Sequence, residues 1–191
     1  SGGAGAPTWF TLNYVGLTGS ETIAGVKTFS SQPVLPQAFT TSTAVTLTNQ
    51  TTVTFSSIPS WVKRIRLILK GATLASADQP VIRIGSGSLQ TTGYNSNVAA
   101  INGGTGQGTL ASGHALQATS AIASVMTGTV EFVNITGNVW VSTGINSNIN
   151  NGALIFTTTD VSLSGTLDRI ALTTVGGSVQ FNAGTVNITY E

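Results

Sequence analysis

Apolar side chains in this chain recur at every second position in short runs punctuated by Gly and Asn, and nowhere does the three-to-four spacing of a helix run beyond a turn or two. Between Trp61 and Lys70, for example, Trp61, Ile65, Leu67 and Leu69 fall on odd positions and Arg64, Arg66 and Lys70 on even ones. Period two sends these sets to opposite faces of one strand. Alternating runs at Thr43–Leu47 and Thr51–Phe55 flank Asn49-Gln50 and predict a hairpin. A second is expected where Val130 and Phe132 face Val139 and Val141 across Thr136-Gly137-Asn138, and a third where Ile170–Thr174 leads through Gly176-Gly177 to Val179 and Phe181. Val186, Ile188 and Tyr190 alternate with Asn187 and Thr189 as a half-buried last strand. Short strands between turn signals at roughly 8 to 12 residues predict an all-β chain. The expected body is an antiparallel β-sandwich, jelly-roll-like, over residues 40–191. Residues 1–39 read as a short irregular N-terminal segment, because Pro7, Pro33 and Pro36 limit ladders while Trp9, Phe10, Leu12, Ile23 and Phe29 need cover from elsewhere.

The surface of such a body has few charges to work with. Charged residues make up 7% of the 191, against roughly a quarter in an ordinary domain. With 40% apolar residues the chain still folds, and hydroxyls, amides and glycines must carry its solubility. A net charge of +1 gives no global attraction to nucleic acid or to an acidic membrane. No run of about 18 apolar residues is present, so no membrane insertion is expected. Without cysteine there is neither a disulfide framework nor a thiolate metal site, which leaves packing and oligomerisation to stabilise the fold. The opening Ser1-Gly2-Gly3-Ala4-Gly5-Ala6-Pro7 has no signal-peptide character and reads as the cut end of a longer chain or a cloning remnant.

Catalytic patterns are weak. Gly103-Gly104-Thr105-Gly106-Gln107-Gly108 has no strand before it, no helix after it and no Gly-Lys-Ser/Thr, so a phosphate cradle is not expected. His114 is the single histidine, and nothing places a nucleophile beside it together with Asp160 or Asp168. Six scattered carboxylates make a glycosidase pair within one chain hard to assemble. The expectation is a chain that is not an enzyme, with no metal and no cofactor.

Two stretches do offer binding chemistry, since aromatic rings pack on the apolar faces of sugars and amides pair with hydroxyls. One is read as a loop from Thr91 to His114, with Tyr94, Asn95, Asn97, Gln107 and His114; the other is a loop from Gly144 to Asn151, with Asn146, Asn148, Asn150 and Asn151. Trp140 is a further candidate beside them, although a core position suits it better. The cations from Lys63 to Lys70 read either as a phosphate- or carboxylate-binding face or, preferably, as a strand face that meets Glu131, Asp160, Asp168 or another subunit.

The tract Glu21-Thr22-Ile23-Ala24-Gly25-Val26-Lys27-Thr28-Phe29, within Gly16–Pro36, resembles a segment that recurs in bacteriophage tail fibre proteins. Ile58-Pro59-Ser60-Trp61-Val62-Lys63-Arg64-Ile65, Ser164–Ile170 and the terminal Ile188-Thr189-Tyr190-Glu191 are similar to the C-terminal, receptor-binding region of some of those fibres. The matching pieces touch both ends of the chain and leave its middle uncovered. What the resemblance implies is a homotrimer at the distal end of a virion tail fibre, joined to the rest of the fibre through residues 1–39. Its partner would be a receptor on the bacterial host surface, either a glycan such as lipopolysaccharide or capsule, or an outer-membrane protein. The alternatives are a polysaccharide-depolymerising tailspike and a purely structural trimerisation segment.

Overall fold

A computed structural model describes residues 39–101, 105–120, 124–150 and 152–191. The expected N-terminal segment and the tract Glu21–Phe29 lie outside the described residues. Fourteen strands run through the rest, all pairings are antiparallel, and no helix occurs among the described residues. They are β1 (Thr40–Thr41), β2 (Val45–Thr46), β3 (Val53–Ser56), β4 (Arg64–Leu74), β5 (Pro80–Ser86), β6 (Ser88–Leu89), β7 (Tyr94–Ile101), β8 (Thr105–Leu110), β9 (His114–Ala115), β10 (Met126–Thr136), β11 (Val139–Asn148), β12 (Ala153–Ser162), β13 (Arg169–Thr174) and β14 (Phe181–Tyr190). A nine-stranded sheet is ordered β1-β14-β4-β10-β11-β12-β7-β8, with β2 also on β14. A five-stranded sheet is ordered β3-β13-β5-β6, with β9 also on β5.

The two sheets share one core. Ile65, Leu67, Leu69 and Phe132 of the large sheet pack in the same buried cluster as Ile82, Ile84, Ile170 and Leu172 of the small one. Alternation in β4 does what the sequence requires: Ile65, Leu67 and Leu69 are buried, and Arg64, Arg66 and Lys70 face outward. The hairpin β10–β11 forms as expected, with Gly137 at φ +50 in its tight turn. A bulge between Asn134 and Thr136 leaves Ile135 unpaired.

Two expected hairpins do not form. After the turn at Asn49, which has φ +62, the chain leaves β2 on β14 and enters β3 on β13, in the other sheet. Likewise Gly177 closes a turn onto the carbonyl of Thr174 at 3.1 Å, yet β13 and β14 belong to different sheets. In both places the turn chemistry is local and real, but the apolar residues on either side bury better on opposite walls of the core than beside each other. The expected loop from Thr91 to His114 is instead the hairpin β7–β8 followed by β9. The expected loop from Gly144 begins inside β11, which continues to Asn148.

One side chain ties the walls together. Tyr94 opens β7 in the large sheet, and its hydroxyl accepts from the Ile84 amide at 2.9 Å and donates to the Ile84 carbonyl at 3.2 Å. Ile84 lies in β5 between the short partners β6 and β9, so the phenol fills a break in that strand's pairing. Burial pushes the Tyr94 hydroxyl up to about 12, which keeps it protonated and able to donate. Tyr94→Phe strands a buried amide, and urea denaturation is expected to show a loss of about 1–3 kcal/mol.

Candidate ligand groove

The outward face of the large sheet is a product of register. β11 pairs with β10 and β12 along its whole length, and β12 pairs with β7. Outward side chains therefore fall into rows that run across the strands. One row reads Arg66, Glu131, Thr143, Thr158, Asn97, Thr109, each residue directly opposite the next. The adjoining row reads Ile68, Thr129, Ile145, Phe156, Ala99, Gln107. Both rows, apart from Ile68, line a groove of about 930 Å³. Ile145 is 56% and Phe156 39% exposed, a large apolar surface left open beside a line of hydroxyls and amides.

Charge enters only at one end. Arg66 reaches the Glu131 carboxylate at 3.1 Å, while Arg64 pairs with Glu191 at 2.6 Å and approaches Glu131 at 3.9 Å. The cationic strand thus meets Glu131, as its preferred sequence reading had it, together with Glu191. These pairs are exposed and contribute little to stability. Asp160 and Asp168 serve elsewhere: Asp160 accepts from Asn95 at 2.9 Å, and Asp168 from Arg169 at 2.7 Å, which holds the Asp168 carboxyl below the usual range.

Of the seven side chains expected to face a receptor, only Asn95 and Asn97 are exposed, and Asn97 alone lines the groove. The other five are corrected to the interior. Tyr94 is the inter-sheet tie described above; Trp140, 3% exposed, belongs to the main core. Asn146 and Asn148 occupy inward positions of β11, and Asn148 donates to Ser124 at 2.7 Å. His114 is sealed between β9 and the inner face of the large sheet, its Nδ1 2.8 Å from Ser142 Oγ and 3.0 Å from Thr159 Oγ1. Thr159 donates onward to Ser96 at 2.9 Å. No carboxylate joins this network, so it is a hydroxyl-bound core histidine. Gln107, named in the first of the two stretches, also lines the groove; residues that sequence reading missed are Thr109, Thr129, Thr143, Phe156 and Thr158. The register that aligns them was not readable from any one segment.

The histidine also explains a glycine. A Cβ at Gly144 would stand 2.7 Å from His114 Nε2 and 2.8 Å from Val130 Cγ2, so only a bare backbone admits the ring. No group of His, Asp and Glu among the described residues could hold a metal ion. No protein-family profile, curated protein or solved structure matches the chain.

Burial lowers the His114 pKa to about 3 from the ordinary 6.5. The folded state then refuses a proton that the unfolded chain accepts, so the neutral ring's contribution is complete above 6.5 and declines as pH falls from 6.5 towards 3. At about 1.4 kcal/mol per pH unit, urea midpoints should record a loss of about 2 kcal/mol between pH 7 and pH 5. His114→Gln should be less stable at pH 7 and flatter over that interval. Gly144→Ala should cost about 1–3 kcal/mol by overpacking.

Proposed function

We propose that the chain is the receptor-binding end of a bacteriophage tail fibre, which attaches the virion to a glycan on the bacterial surface without cleaving it. The groove on the outer face of the large sheet carries this reading. It combines an apolar row with a row of amides and hydroxyls, and sugar rings present an apolar face and a polar edge to match. The resemblance of Ile58–Ile65, Ser164–Ile170 and Ile188–Glu191 to fibre ends supports the same assignment, as does Glu21–Phe29. In this proposal three jelly-roll-like bodies assemble at the distal end of the fibre. Three grooves of modest affinity then act together, because after the first contact the others bind at high effective concentration.

Light scattering on the full chain is expected to return three times the 19.4 kDa chain mass. The fluorescently labelled protein should stain host cells and block phage adsorption. A monomer overturns the assembly, failure to stain overturns the attachment role, and release of oligosaccharide from the host surface overturns the non-cleaving reading.

A further inference from the structure

From Ile84 to Thr159 the chain contains one residue among Asp, Glu, Lys and Arg, which is Glu131. That stretch supplies β7, β8, β10, β11 and the groove-lining part of β12, hence most of the groove; the next outward residue of β12, Asp160, accepts from Asn95 at 2.9 Å and is not among the lining residues. Glu131 itself is neutralised by Arg66 at 3.1 Å. The only histidine in the stretch is buried behind the sheet, with its ring held neutral. The groove therefore has no free charge along its length, apart from one balanced pair at the end where β4 meets β10.

What the groove offers instead is ordered neutral polarity. Thr143, Thr158, Asn97 and Thr109 stand in one exposed cross-strand row, and Thr129 and Gln107 stand in the next. None of these side chains is held by a hydrogen bond within the described residues. With strands about 4.8 Å apart, the row from Arg66 to Thr109 spans roughly 24 Å. Successive outward residues on one strand are separated by roughly 6.7 Å, which sets Ile145 and Phe156 alongside the hydroxyls of Thr143 and Thr158. A ligand that satisfies both rows is elongated, lies across the strands, turns an apolar face to Ile145 and Phe156, and directs hydroxyls to the Thr and Asn row.

We infer that the groove binds an uncharged oligosaccharide in an extended pose across β8, β7, β12 and β11, and discriminates against glycans that carry phosphate or carboxylate. The discrimination is physical. An anionic sugar entering the groove gives up hydration, and the one cation there, Arg66, is already paired with Glu131, so the anion gains no free counter-charge. This inference rests on the receptor-binding reading and adds the chemistry of the ligand to it.

The test is an array of neutral oligosaccharides, built from hexoses, 6-deoxyhexoses and N-acetylhexosamines, beside acidic ones bearing uronic acid, sialic acid or phosphate. The full chain is applied and the hits are titrated by calorimetry. Hits confined to neutral glycans are expected, with less than a twofold change in Kd between 50 and 500 mM NaCl. Asn97→Ala and Thr143→Val should each weaken binding about fivefold or more, with Tm unchanged. A preference for acidic glycans, a tenfold or greater loss of affinity in salt, or unchanged binding by both variants overturns the inference. Staining of host cells with no hit on either class also overturns it while leaving the attachment role intact; loss of cell staining is the result that removes the role itself.

Discussion

β11 is paired on both sides over ten residues, to β10 and to β12, and that double pairing decides which side chains face in and which face out across half of the molecule. A slip of one residue would exchange the faces entirely. Ser142, Gly144 and Asn146 would then turn to solvent, and Thr143 and Ile145 would enter the core. Two features oppose such a slip. His114 fits only against the bare backbone of Gly144, and its Nδ1 meets Ser142 and Thr159 from neighbouring strands. The interior thereby sets the register, and the register lays out the groove.

The interior is unusual in its division of labour. Towards β4 and β14 the inner face of the large sheet is aliphatic and aromatic, with Leu67, Phe132, Val186 and Ile188 packed against the small sheet. Towards β12 and β7 it carries Ser96, Thr157 and Thr159, each hydrogen-bonded within the protein. Buried polar groups with good partners add directional constraint where apolar contacts alone would permit sliding. The price is sensitivity to acid through His114.

Much of the fold was legible where one segment carried its own signal. β4 announced itself because Ile65, Leu67 and Leu69 alternate with Arg64, Arg66 and Lys70, and the end of β14 because Val186, Ile188 and Tyr190 alternate with Asn187 and Thr189. The β10–β11 turn was readable from Gly137-Asn138 between alternating runs. Pairings between distant segments were not: Asn49 and Gly177 form their turns, but turn residues do not say which sheet the next strand joins. The second half of β11, from Gly144, reads as a loop in the sequence because its pattern is inverted there, with Asn146 and Asn148 inside and Ile145 outside. Amides at alternate positions read as surface in the sequence. The groove escaped for a related reason, since its rows are contributed by six strands and no single strand displays them.

Adjacent residues on β12 offer the most direct test of whether one sheet separates holding from binding between its two faces. Thr158 faces the groove, and its neighbour Thr159 is buried against His114 and Ser96. The same substitution at each, Thr158→Val and Thr159→Val, can be followed by urea denaturation and by staining of host cells. Thr158→Val should keep the wild-type midpoint and weaken staining, whereas Thr159→Val should lower stability by about 1–3 kcal/mol and, at low temperature where it remains folded, stain as the wild type does. The reverse pattern, or equal effects of both changes on both readouts, would contradict the account.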